Sequence, residues 1–90
     1  MRIVGEITHP RLKITLMHHG RYLLKLEDVD AEMVYRFRDG EGVASIEDAS
    51  SLLDLGLLQE AEQQLRAMRE AKLRYARAAR PPADDFPTIV

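Results

Sequence analysis

The chain predicts an α+β fold, a four-stranded antiparallel meander followed by a short and a long helix packed on one of its faces. Two observations predict it. Apolar residues recur at every second position as Leu12, Ile14 and Leu16, then Tyr22, Leu24 and Leu26, then Met33, Tyr35 and Phe37, the period of half-buried strands. Past Ser45 the apolar spacing lengthens to that of helices until Pro81-Pro82 stops it.

The first strand spans about 2–7, where Ile3, Gly5 and Ile7 alternate with Arg2, Val4 and Glu6. Thr8-His9-Pro10-Arg11 turns the chain, because proline fixes φ and cannot donate to a ladder. A loop of residues 8–11 sets Ile7 against Leu12, Gly5 against Ile14 and Ile3 against Leu16. The second strand, about 12–17, leads into a hairpin with two candidate registers. A two-residue His19-Gly20 loop opposes Ile14 to Lys25 and Leu12 to Glu27. A three-residue His18-His19-Gly20 loop opposes Leu16 to Tyr22, Ile14 to Leu24 and Leu12 to Leu26. A one-residue slip turns a whole strand to the wrong face, which favours the second register even though it sets Lys13 opposite Lys25. It also puts Gly20 where such loops need a left-handed residue.

The third strand, about 21–27, is followed by the acidic connection Glu27-Asp28-Val29-Asp30-Ala31-Glu32 and a fourth strand at about 32–38. This spacing sets Leu26 against Met33, Leu24 against Tyr35 and Tyr22 against Phe37. Asp39-Gly40-Glu41-Gly42 breaks the pattern. Ser45 and Asp48 then form a capping-box pattern at the start of a short helix, about 46–54, carrying Ile46, Ala49 and Leu53 at helical spacing. Gly56 either ends this helix or weakens a continuous one. In the long helix, about 57–79, Leu58, Ala61, Leu65, Met68, Tyr75, Ala76 and Ala79 share a side. Its acidic residues come early and its basic ones late, as the helix dipole prefers. Lys72 falls within the apolar stripe and must snorkel or meet a carboxylate. This helix runs about 34 Å against strands of about 20–23 Å, so its last turns should overhang the sheet.

Ninety residues make one domain, 1–80, with 81–90 read as a flexible tail. Thirteen Lys+Arg against fifteen Asp+Glu leave a net charge of −2, which supplies no global attraction to nucleic acid or to an anionic membrane. Absence of cysteine removes disulfides, thiolate metal sites and a cysteine nucleophile. The charged opening Met1-Arg2-Ile3-Val4-Gly5-Glu6 does not read as a signal peptide, and no run reaches membrane-spanning length, so the expected location is the cytoplasm.

Gly5-Glu6-Ile7-Thr8-His9-Pro10, Lys13-Ile14-Thr15 and Tyr22-Leu23-Leu24-Lys25-Leu26-Glu27 give the first third of the chain a pattern that resembles short, uncharacterised bacterial proteins. The resemblance implies a small bacterial protein. It carries no catalytic signature and implies no activity, cofactor or ligand.

Side-chain chemistry points away from catalysis. His18 and His19 fall at a hairpin tip and His9 in the turn at the other end of the second strand, which separates them as metal ligands. Ser45, Ser50 and Ser51 lie at a helix start, where capping accounts for serine. No nucleophile elbow, phosphate loop or metalloprotease motif occurs, and Gly40-Glu41-Gly42 lacks the lysine and hydroxyl of a phosphate loop. The expectation is a non-enzyme with no cofactor and no bound metal.

The outer sheet face is the most informative irregularity. Val4, Met17, Leu23 and Val34 are expected to project away from the helices among Arg2, Glu6, Lys13, Thr15, Lys25, Arg36 and Arg38. An apolar centre ringed by long polar side chains is the anatomy of a modest interface. The leading expectation is therefore a protein–protein interaction or assembly module, a homodimer, using this face, with Arg69, Leu73 and Arg77 on the overhanging helix as second choice. Two rivals follow from other features. Arg66, Arg69, Arg77 and Arg80, with Arg74 at the margin, form a basic stripe on the last helix that could follow nucleic-acid phosphates, without interleaved aromatics to stack on bases. Tyr22 and Tyr35 could line a small-ligand or enzymatic pocket between sheet and helix.

Overall fold

The structure is a computed structural model that describes residues 1–79. The expected tail 81–90 and Arg80 lie outside the described residues. Strands β1 (Arg2–Ile7), β2 (Lys13–His18), β3 (Tyr22–Glu27) and β4 (Glu32–Phe37) form one sheet in sequential order, each antiparallel to its neighbour. Helix α1 (Ile46–Leu52), a π-type turn at Leu53–Leu57 and helix α2 (Leu58–Ala79) follow. This is the α+β meander expected from the alternation, with strand ends displaced by one residue at most. Leu12, Ile14, Leu16, Leu24 and Leu26 are buried against Ala49, Leu53, Ala61 and Leu65, so the core lies between one sheet face and the helical segment. Met33, Tyr35 and Phe37 pack at its margin.

The β3–β4 register is the expected one, Leu26 on Met33, Leu24 on Tyr35 and Tyr22 on Phe37. The β2–β3 register keeps the expected faces but is displaced by two residues. The three-residue loop is His19-Gly20-Arg21, and Leu16 pairs with Leu24 and Ile14 with Leu26. Charge accounts for the displacement, because Lys13 now stands opposite Glu27 and Thr15 opposite Lys25, which removes the lysine–lysine pair of the expected register. Gly20, at φ +72, still supplies the left-handed residue.

Strand β1 departs further. Ile7 pairs with Ile14 and Gly5 with Leu16, but Ile3 pairs with Met17, so the chain bulges at Val4. The bulge exchanges two faces. Val4, expected outside, packs against the core, and Ile3, expected inside, is 63% exposed beside Met17. Strict alternation cannot anticipate an extra residue, because one insertion inverts everything on one side of it. Gly5 stays on the core face, as expected, and faces helix α1. A Cβ there would lie 3.3 Å from the Ile46 side chain, closer than ordinary packing.

Turns at the opposite end of the sheet are ordered by side chains. His9 Nδ1 accepts from the backbone N–H groups of Arg11 and Leu12, both at 3.1 Å, and so closes the β1–β2 turn. Asp28 Oδ1 accepts from Asp30 N (2.8 Å) and Ala31 N (2.9 Å), while Asp28 N donates to Ala31 O. Between β4 and α1, Val43 enters the core, a contribution that its glycine-rich surroundings conceal in the sequence.

Ser45 Oγ accepts from Asp48 N at 3.2 Å, as the capping pattern predicts. Asp48 reaches back to Ala44 N rather than Ser45 N, one residue beyond the usual box. Gly56 does split the helical region: its φ of +133 and ψ of −9 are not helical. The reason is angular. At 100° per residue a continuous helix would place Ala61 and Leu65 about 120° around from Ala49 and Leu53. All four are buried in one core, so the chain must reset its phase between them, and it does so at Gly56.

Helix α2 then runs to the end of the sheet marked by the β1–β2 and β3–β4 turns. Lys72 meets Asp30 there at 3.0 Å, as its place in the apolar stripe requires. From Leu73 to Ala79, about two turns, every residue is exposed. The helix overhangs its sheet.

Candidate interaction surfaces

The outer face of the sheet is organised in rows across the strands. Ile3, Met17, Leu23 and Arg36 stand in register as one row. Glu6, Thr15, Lys25 and Val34 form the next, and Lys13, Glu27 and Glu32 the third. The bulge at Val4 is what completes the first row, since it alone brings Ile3 beside Met17. Ile3 is fully outside and Val34 is 43% exposed, whereas Met17 and Leu23 are half-buried by their neighbours.

The polar rows are partly self-contained. Lys25 Nζ lies 3.5 Å from Glu27 Oε1, and Thr15, between Glu6 and Lys25, is only 5% exposed. Three basic residues (Lys13, Lys25, Arg36) and three acidic ones (Glu6, Glu27, Glu32) surround the apolar positions. Of the four apolar residues expected here, Met17, Leu23 and Val34 are in place; Val4 is replaced by Ile3.

The helical candidates divide. Leu73 and Arg77 are exposed on the overhang. Arg69 instead turns towards the sheet end, where its Nη1 lies 3.2 Å from Asp28 Oδ2. Arg66 is exposed beside it, and the Arg74 guanidinium sits 5.2 Å from the ring centre of Tyr75. The expected stripe is therefore not a uniform free surface, since Arg69 is held by a carboxylate.

At that sheet end Arg11, Leu12, Asp28, Val29, Glu62, Leu65, Arg66 and Arg69 line an open cleft of about 430 Å³. Arg11 pairs with Glu62 through Nη2 and Oε2, and His9 Nε2 is 3.8 Å from the same oxygen. The Asp28 carboxyl is held below its ordinary range of 3.8, first by the N–H groups of Asp30 and Ala31 and then, against some desolvation, by Arg69 and Lys72. Sequence reading did not single out this cleft. Its parts come from two turns and a helix far apart in the chain, with no shared motif.

The remaining candidates are separated. His18 stands edge-on to Tyr22 with ring centres 4.7 Å apart, and His19 is exposed at the same hairpin, while His9 closes the turn at the far end of β2. Among the described residues no group of three or more His, Cys, Asp or Glu is placed to hold a metal ion. The centre between sheet and helices is filled by Leu16, Leu24, Leu26, Ala49 and Ala61, all without exposed surface. Tyr35 lines a shallow groove of about 360 Å³ at the β4 edge with Arg36, Phe37, Glu41, Leu52 and Leu57. Burial, and then the Glu60 charge, push its hydroxyl pKa up.

Comparison of the chain with protein-family models, with curated proteins and with solved structures found no match. Among the described residues, no helix is long and apolar enough to cross a membrane.

Proposed function

We propose that this chain is a non-catalytic assembly module, a homodimer that buries the outer sheet face against a second copy of itself. The observation that carries this reading is the Ile3–Met17–Leu23 row, an apolar strip three strands wide that the core leaves uncovered. The polar surroundings favour a second copy as the occupant. Acidic and basic residues both border the strip, so opposite charges can meet when the face opposes its own image in a two-fold contact. The exposed α2 overhang, with Leu73 and Arg77, is a second area for the same contact.

Nucleic-acid binding through Arg66, Arg69, Arg77 and Arg80 has less support, since the chain is net acidic and Asp28 engages Arg69. We also propose a bacterial, cytoplasmic setting, which the resemblance of its first third to short bacterial proteins supports.

Light scattering on the eluting protein tests the reading. At concentrations on the order of tens of micromolar the wild type should run as a dimer. Met17→Glu, which places a charge at the middle of the strip, should run as a folded monomer. A monomeric wild type, or a Met17→Glu variant that stays dimeric, would sink the proposal.

A further inference from the structure

The cleft at the turn end of the sheet combines two chemistries. Three arginines line it, Arg11 from the β1–β2 turn and Arg66 and Arg69 from α2. Its floor is apolar, formed by the buried side chains of Leu12 and Leu65, and at its lip stands Val29, 97% exposed on a turn that Asp28 orders.

The carboxylates in the cleft serve the protein itself. Asp28 Oδ1 takes two backbone N–H groups and its Oδ2 takes Arg69, so all its bonding is internal. Glu62 holds Arg11. Each of these arginines spends one terminal nitrogen, Nη2 of Arg11 and Nη1 of Arg69, on its carboxylate. A guanidinium carries five N–H donors in a planar fork, so both retain donors for a further acceptor. Arg66 has no carboxylate partner among the described residues. Asp28 and Glu62 thus act as positioning groups that fix two of the lining cations, and the third, Arg66, is exposed and unspent. Three positive charges against two negative ones leave a net positive cleft.

We propose that this cleft binds a small organic anion, a carboxylate or phosphate monoester with a short apolar group. The oxyanion would accept from Arg66 and from the unspent donors of Arg11 and Arg69, since the planar guanidinium fork matches a carboxylate or phosphate bidentately. The apolar group would lie against the exposed Val29 side chain and take it out of water. The site is distinct from the outer sheet face, so it does not depend on self-association.

Amide chemical-shift titrations with four probes test it: acetate, hexanoate, inorganic phosphate and butyl phosphate. Hexanoate and butyl phosphate should move the amides of Arg11, Leu12, Val29 and Leu65 to Arg69, and bind at least roughly tenfold more tightly than acetate and inorganic phosphate, because burying a few methylene groups is worth that much. Whichever of the two apolar probes binds more tightly identifies the head group. Arg66→Ala, at an exposed helical position that should not disturb folding, should weaken the better probe by about tenfold, and Arg11→Ala should do likewise. Shifts scattered over the surface, shifts that survive both substitutions, or equal binding of the probes with and without an apolar group would each overturn the assignment. A short DNA duplex is the remaining probe. If it displaces the better small anion and binds through the whole basic helix face, the site belongs to nucleic acid and the proposal fails.

Discussion

Gly56→Ala should lower stability by about 1–2 kcal/mol net. Gly56 sits at φ +133, where L side chains are strained, and nothing lies within 4 Å of where its Cβ would be. The penalty is therefore one of backbone conformation and not of collision, about 1–3 kcal/mol. It is offset in part by the smaller entropy alanine has to lose on folding, about 0.4–1 kcal/mol.

The variant has one escape, to adopt right-handed helix at residue 56 and straighten the segment. That would turn either the Ala49–Leu53 pair or the Ala61–Leu65 pair about 120° away from the sheet. Uncovering a buried leucine of this kind costs about 2–5 kcal/mol, more than the strain it relieves. The kink should therefore persist. Urea unfolding followed by far-ultraviolet circular dichroism measures the effect. With a slope of about 1 kcal/mol per molar for a domain this size, the midpoint should fall by about 1–2 M. Leu55→Ala, in the same turn but 83% exposed, should move it by less than about 0.5 M. An unchanged or raised midpoint for Gly56→Ala would mean that the phase break is unnecessary and that both stripes reach the core from one continuous helix.

Two further outcomes follow from the same structure. Leu65→Ala should cost about 2–5 kcal/mol, because Leu65 is 1% exposed, whereas Leu73→Ala, at 53% exposed, should change monomer stability by no more than about 0.5 kcal/mol; equal losses in urea unfolding would refute the overhang. Asp28 has a folded pKa below 3.8, so the stability it contributes is complete at neutral pH and is lost as pH falls below 3.8 through that depressed value. Asp28→Asn keeps an acceptor for the N–H groups of Asp30 and Ala31 but not the charge facing Arg69. Its unfolding midpoint should be lower than wild type at pH 7, with the difference shrinking below pH 3.8; a constant difference across that range would show that Asp28 does not titrate as described.

Much of the fold was legible because the relevant physics is local. The period-two runs assign Leu12 to Phe37 to strands, and the spacing across Asp28–Ala31 leaves one register that buries both apolar sets. The β2–β3 register was legible as to face but not as to pairing. Registers two residues apart bury the same side chains, and the tie is broken by Lys13 preferring Glu27 to Lys25 across the ladder. That preference was visible as a cost and not followed to its remedy.

The candidate surfaces were less legible. The outer face was found by alternation, and alternation failed at the bulge, so Val4 was taken for Ile3 there. The cleft was missed because Arg11, Asp28 and Arg66 carry no common spacing. They are neighbours only because two turns and a helix end share one end of the sheet.

The sequence by itself determined the element types, the core face of the sheet, the cap at Ser45 and the length of α2 beyond the strands. Each rests on periodicity, on capping chemistry or on rise per residue, all properties of contiguous residues. Only the tertiary structure decided the bulge that turns Ile3 outward, the break at Gly56 and the cleft lined by three arginines. These arise where separate segments must satisfy one another: Ile3 against Met17, four helical residues against one core, and Asp28 and Glu62 against cations more than thirty residues away.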